Sequence, residues 1–175
     1  MRKIYIVLTY TGTLLARIVR FYTKKEYSHV SIALDEDLSR MYSFGRLNPY
    51  NAFVGGFVRE GVNFGTFARF KNTRCSIKCL EVTDEQYYEL KRLIRKFEKR
   101  KRIYTFNVVG LFAVALNVKV QKANSFYCAE FVKYALEESR IVSKLPDIIR
   151  PDDFYNLNKS KLVYEGLLRK YAMSR

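Results

Sequence analysis

The chain has 175 residues, of which 49% are hydrophobic, with 14 Tyr and 13 Phe but no Trp. This length is typical of one domain, and this composition excludes an intrinsically disordered chain, so we expect a single domain over residues 1–175. The net charge of +15 predicts attraction to anionic surfaces, such as nucleic acid, acidic lipid or an anionic wall polymer, without choosing among them.

The N-terminal segment predicts a strand followed by a helix. Residues 3–9 (KIYIVLT) form an apolar, β-prone run, and residues 12–23 place apolar side chains at helical spacing. Because Arg17 and Arg20 interrupt the apolar run and no small-residue cleavage site follows it, we do not interpret it as a signal peptide. The other long apolar stretch, residues 108–118, is too short to span a bilayer, so we expect no transmembrane segment.

The next segments predict a hairpin and a glycine-rich excursion. Strands at residues 29–34 and 40–44 flank an acidic turn at residues 35–37. Residues 45–70 then contain five of the eight glycines and six aromatic residues. Glycine permits tight turns and aromatic side chains supply contact surface. This segment is either a binding loop or lid, or an irregular extension of the hairpin.

The central part of the chain predicts a strand at residues 75–82 and a basic helix after it. Thr83 and Gln86 form a capping box at the start of that helix. Its inward stripe comprises Leu90, Leu93, Ile94 and Phe97. Eight basic residues lie within the segment 91–102, which is either a solvated helix face or a patch that binds an anionic partner. Helices at 107–117 and 126–138 and a strand at 161–166 are expected to follow.

Cys75 and Cys79 are expected to share one face of the 75–82 strand. With only three cysteines in the chain, a disulfide framework is disfavoured and a reducing, cytoplasmic location fits better. One histidine and scattered cysteines do not assemble a tetrahedral metal site. We therefore expect neither a metal ion nor a cofactor.

His29 is the only histidine in the chain and opens the HVSIALD strand. Alternation places His29, Ser31 and Ala33 on one face, while the other face is apolar. The small side chains beside the imidazole leave room for another element to approach it. This histidine is either a working base or an inert group at a strand edge.

Cys128 opens the helix-like run CAEFVKYALEE. Asn124 and Ser125 are good N-cap residues, which would place the thiol in the first helical turn, where the helix dipole stabilises a thiolate. The same cysteine also starts a stripe of residues at helical spacing, as a small core residue would. The sequence thus offers a nucleophile and a base, or two structural residues.

The stretch GTLLARIVRFYTKKEYSHVSIALDEDLSRMYSFG, together with FYCAEFVKYAL, resembles the circularly permuted branch of the papain-like NlpC-type hydrolases. That branch includes the YiiX-like proteins and the lecithin:retinol acyltransferase-like enzymes. The resemblance implies a papain-like α+β fold, with a central antiparallel sheet and the nucleophile helix packed against it. It also implies that Cys128 is the nucleophile, that His29 is the general base, and that the Cys128 backbone N–H helps to hold the oxyanion.

The third member of the family's site is a polar residue on the strand after the histidine strand, and that position falls on Ser43 here. Many relatives carry His or Glu at this position. A serine fixes the orientation of the ring but brings no negative charge to an imidazolium. The site is therefore a Cys–His dyad assisted by Ser43, a triad completed elsewhere, with Glu60 and Asn107 as candidates, or a degenerate, non-catalytic site.

Three functions remain open at the level of sequence. The first is a cysteine hydrolase that cleaves an amide bond in a peptide or peptidoglycan-like substrate. The second uses the same chemistry on an acyl lipid, as a hydrolase or acyltransferase. The third is a non-catalytic module whose basic 91–102 segment binds a polyanion.

Overall fold

The computed structural model describes residues 1–48 and 50–173, and within these ranges the side chains of all residues but 15, 52, 53 and 115. The strands are β1 (Arg2–Tyr10), β2 (His29–Ala33), β3 (Met41–Asn48), β4 (Asn51–Glu60), β5 (Arg74–Val82), β6 (Thr105–Phe106), β7 (Ser125–Phe126) and β8 (Lys161–Leu167). The helices are α1 (Leu14–Thr23), α2 (Gly65–Arg69), α3 (Asp84–Lys99), α4 (Val108–Ala115), α5 (Cys128–Glu138) and α6 (Leu168–Met173).

Six strands form an antiparallel sheet in the order β4-β3-β2-β1-β5-β8. The remaining pair, β6 and β7, is parallel and forms a separate two-stranded sheet that contacts β4. The fold is thus α+β, with a mostly antiparallel sheet and helices packed against it, as the sequence predicted. Within the described residues, none of the helices is both long enough and apolar enough to cross a membrane.

Both faces of the sheet are covered. One face packs against α3 and α5, through side chains such as Ile6, Ile32 and Phe44. The other face, which carries Val7 and Ile77, packs against α2 and α6. The central strand β1 is therefore buried on both sides, which explains its continuous apolar run in place of an alternating pattern.

The glycine-rich segment is mostly a hairpin, since β3 and β4 pair along it, with a shift of register between Arg46 and Asn48. The short helix α2 follows it. Of the two interpretations of residues 45–70, the extended hairpin describes the backbone. It also lengthens the strand predicted at residues 40–44 and adds β4, which sequence patterning did not identify.

The capping box of α3 forms as expected, because Thr83 Oγ1 accepts from the Gln86 N–H at 3.1 Å and Gln86 Oε1 accepts from the Thr83 N–H at 2.9 Å. Three of the four stripe residues are fully buried, and Leu93 is partly buried. The basic residues Arg92, Arg95, Lys96 and 99–102 are exposed.

The predicted start of α5 was wrong. Ser125 belongs to strand β7, and α5 begins at Cys128, with Tyr127 as its N-cap residue. The Glu130 side chain accepts from the Tyr127 N–H at 3.1 Å. A glutamate in the first turn therefore caps the helix, in place of the expected N-cap residues Asn124 and Ser125. Cys128 nevertheless lies in the first turn, as predicted.

Candidate active site

His29 and Cys128 line one cleft. His29 is the first residue of β2 and Cys128 is the first residue of α5. The cleft measures about 640 Å³ when the open solvent at its mouth is counted, and Glu60 also lines it. The fold therefore brings together a thiol and an imidazole that are about a hundred residues apart in the chain.

A carboxylate holds the imidazole of His29. Nε2 of His29 lies 2.9 Å from Oε1 and 3.2 Å from Oε2 of Glu60. Both side chains are largely buried, with 19% of His29 and 9% of Glu60 exposed. A carboxylate accepts hydrogen bonds, so Nε2 donates to Glu60, and Nδ1 is the nitrogen left to receive a proton from the thiol.

The Glu60 carboxylate has a second partner on the histidine strand. The fully buried Ser31 hydroxyl donates to Oε2 of Glu60, and its oxygen lies 3.3 Å from Nε2 of His29. The carboxylate is thus fixed from two sides, which restricts the orientation of the ring that it holds.

The surroundings of His29 favour its protonated form. Burial alone lowers the pKa of His29, but the negative charge of Glu60 and the interactions with Cys128 and Glu60 raise it by more. The net pKa lies well above the ordinary value of 6.5. An imidazolium is therefore stabilised between Glu60 and Cys128, which is the state that forms when the thiol gives up its proton.

Gly45 leaves the space in which His29 and Glu60 meet. It lies on β3, between the strands that carry the two side chains. A Cβ atom at this position would lie 3.4 Å from Oε1 of Glu60 and 3.5 Å from Cε1 of His29. A small residue at this position keeps the space over β3 open, so that a glutamate from β4 can reach across β3 to a histidine on β2.

Tyr127, the residue directly before Cys128, is held by two hydrogen bonds. Its buried hydroxyl donates to the Ile149 carbonyl oxygen at 3.0 Å, and its N–H is held by Glu130. These contacts fix the backbone as it enters α5. The N–H groups of the first helical turn have no acceptor within the helix, so the Cys128 N–H is available to a developing oxyanion.

The structure does not direct the hydroxyl of Ser43, the expected orienting residue, to the imidazole of His29. Its buried hydroxyl donates to the Val30 carbonyl oxygen at 2.7 Å, because from its position on β3 it reaches the backbone of the neighbouring strand. The group that the structure places on the imidazole is Glu60. The other candidate, Asn107, caps α4 by accepting from the Gly110 N–H at 2.8 Å.

The other two cysteines have a different setting. Cys75 and Cys79 lie on one face of β5, as expected, and both are buried in the core that faces α6. Burial raises the pKa of Cys75 to about 12 and also raises the pKa of Cys79. These thiols are therefore poor nucleophiles.

Arg46 also lines the cleft. Its Nη2 donates to Thr13 Oγ1 at 2.9 Å. Burial and the nearby charge of Arg69 both lower the pKa of Arg46. Within the described residues Arg46 forms no ion pair, and the Glu60 carboxylate of the same cleft is paired with His29, so Arg46 is a half-buried positive charge without a carboxylate partner of its own.

Sequence reasoning missed the roles of Ser31 and Gly45 and named Glu60 without placing it. One signal was available: Glu60 ends a run, NAFVGGFVRE, whose pattern predicts a strand once the hairpin is recognised.

Among the described residues, no group of three or more His, Cys, Asp and Glu side chains is arranged to hold a metal ion. Neither the protein-family models nor the curated proteins that were compared with the chain give a match.

Proposed function

We propose that this chain is a cysteine hydrolase that cleaves an amide bond, in a peptide or a peptidoglycan-like fragment, through a thioester on Cys128. The observation that carries the proposal is the His29–Glu60 pair beside Cys128 in one cleft. A base oriented by a carboxylate, next to a thiol at a helix N-terminus, is the arrangement that nucleophilic acyl transfer requires.

In the first half of the reaction, Sγ of Cys128 attacks the substrate carbonyl carbon while the thiol proton passes to Nδ1 of His29. The Cys128 N–H donates to the oxyanion of the tetrahedral intermediate. When the intermediate collapses, the C–N bond breaks and His29 returns the proton to the leaving amine. The acyl group is then held as a thioester.

In the second half, His29 takes a proton from water as the water oxygen attacks the thioester carbonyl. The C–S bond breaks, the carboxylic acid leaves and the thiol regains its proton from His29. Glu60 keeps its charge throughout, since its role is to orient the ring and to stabilise the imidazolium.

Two features of the cleft support particular substrates within this proposal. The half-buried Arg46 guanidinium supports a substrate with an anionic group, such as a peptide carboxylate, near the scissile bond. An acyl lipid is the second candidate substrate, because Val19, Phe67 and Leu111 give the same cleft an apolar lining.

The test is alkylation by iodoacetamide, followed for each cysteine by mass spectrometry as a function of pH. We expect Cys128 to react fastest and to slow in His29→Ala, while Cys75 and Cys79 serve as internal references. The active protein is then assayed on peptide amides with and without a carboxylate and on phospholipids, with Cys128→Ala as the control. Equal, slow alkylation of all three thiols would overturn the proposal.

A further inference from the structure

Two neighbouring helices expose apolar side chains to solvent. On α1 these include Phe21, which is 77% exposed, and on α4 they include Leu116, just past its end and 74% exposed. We call the whole set the α1–α4 apolar surface: Leu14, Phe21, Tyr22, Val109, Phe112 and Leu116. Large exposed apolar side chains that cluster in this way mark sites of interaction.

The pattern along each helix shows that these side chains share a face. On α4, Val109, Phe112 and Leu116 recur at helical spacing, while Leu111 and Val114 are buried. The helices contact each other, so their solvent-facing sides adjoin. Both helices have buried residues packed inward and a second apolar side that no part of the described chain covers.

The charged residues of the two helices and of the chain segments next to them are all basic. No Asp or Glu occurs in residues 1–25 or 103–129. Exposed basic residues flank the apolar side chains, with Arg17, Arg20 and Lys24 on and after α1 and Lys119 and Lys122 after α4. Of these, Lys119 has a long ion pair of 3.9 Å with the exposed Asp147.

We propose that the α1–α4 apolar surface docks on an anionic lipid bilayer. Apolar side chains enter the boundary between headgroups and acyl chains, and the basic residues around them pair with anionic headgroups. Helices of 10 and 8 residues are too short to span a bilayer, so they lie in its interface. Lysine is depleted at protein–protein interfaces, so an apolar surface flanked by lysines fits a lipid bilayer better than a protein partner.

Docking in this way places the candidate active site at the membrane surface. Ala16 and Val19 of α1 and Leu111 of α4 line the cleft from the other sides of the same helices. A substrate held in or near the bilayer would thus reach Cys128 without crossing bulk solvent. The inference concerns binding and does not depend on the proposed chemistry.

The experiment is co-sedimentation of the full chain, as Cys128→Ala to prevent turnover, with vesicles of phosphatidylcholine alone or mixed with phosphatidylglycerol. We expect binding to the anionic vesicles only, weakened by salt. The double variant Phe21→Gln/Leu116→Gln should lower the partition coefficient by roughly tenfold or more, because two exposed apolar groups no longer enter the interface.

A matched control, Ile103→Gln/Leu162→Gln, removes two exposed apolar side chains from other parts of the surface and should bind as the parent does. If circular dichroism shows that Phe21→Gln/Leu116→Gln is not folded, the variant Leu14→Gln/Val109→Gln replaces it. The proposal is overturned if the parent ignores anionic vesicles, if binding is equal on both lipids, or if the control loses as much as the test variant. It is also overturned if the variant Lys96→Gln/Lys99→Gln on α3 loses vesicle binding while Phe21→Gln/Leu116→Gln keeps it.

Discussion

Three residues from three separate elements make up the candidate site. His29 and Cys128 could be identified from the sequence because one is the only histidine and the other opens a helix. Glu60 could be named but not placed, since its position depends on the register of β3 against β4. Counting along β3 led to Ser43, whereas the carboxylate comes from the next strand and passes over Gly45.

Replacing the carboxylate tests its role as a positioning residue. We expect Glu60→Gln to lower kcat by about 10²–10⁴-fold, because an amide neither stabilises the imidazolium nor fixes the tautomer of His29. The matched variant Ser43→Ala should lose only about 1 kcal/mol of stability and retain its rate, since its hydroxyl serves the Val30 carbonyl. Steady-state kinetics on a substrate amide separates the two. A large loss of kcat in Ser43→Ala with Glu60→Gln unaffected would return the role to Ser43.

The raised pKa of His29 predicts a pH-dependent contribution to stability. The folded protein binds the imidazole proton more tightly than the unfolded chain, so the His29–Glu60 pair stabilises the fold fully below the ordinary pKa of 6.5. This contribution is lost as the pH rises through the higher folded pKa. Urea unfolding should therefore show Glu60→Gln to be more destabilised at about pH 6 than at about pH 10. A deficit that does not change with pH would contradict this assignment.

Elements with a clear period were predicted well, and elements held by tertiary pairing were not. Strands β1, β2, β5 and β8 and helices α1 and α3 agree with the sequence pattern to within a few residues. The two-residue strands β6 and β7 have no local signal, because they exist only through their pairing with each other. That pairing also explains why α5 begins later than predicted, because Ser125 belongs to strand β7 and not to the start of the helix.

A graded series at Gly45 tests how closely β3 must pass beneath the site. The single Cβ of Gly45→Ala meets its neighbours at 3.4–3.5 Å, which is ordinary contact distance, so we expect near-parent activity. The branched side chain of Gly45→Val must displace either the imidazole or the carboxylate. We expect it to lower kcat/KM by at least roughly tenfold, because misplacing a base by about 1 Å costs this much or more. Equal activity in the two variants would show that the approach is not tight.

At the scale of the whole molecule, the sequence predicted a sheet with helices packed against it. It did not predict that helices cover both faces of that sheet. Alternation showed the apolar face of β2 correctly, yet Ser31 and Ala33 on its other face are buried too. The sheet order could not be read either, because β1 pairs with β2 on one side and with the distant β5 on the other. Such long-range pairing leaves no periodic trace in the sequence.

The second core predicts that the C-terminal helix is an integral part of the fold. Leu168 on α6 is 1% exposed, so Leu168→Ala should lower the free energy of unfolding by about 2–5 kcal/mol. The control is Leu162→Ala on β8, where the side chain is about half exposed and the loss should stay below about 1 kcal/mol. Chemical denaturation of the two variants measures the difference. Similar losses would mean that α6 contributes little to the second core.

The order of the strands has a consequence for the nascent protein on the ribosome. Strands β1 to β4 are joined by local connections, so the imidazole, its serine neighbour and its carboxylate all emerge before residue 61. The thiol emerges far later, after β5 and α3 have been made. A nascent chain that has passed residue 60 but has not reached α5 therefore contains His29, Ser31 and Glu60 without Cys128. The thioester chemistry proposed above requires that the first turn of α5 be made and docked beside them.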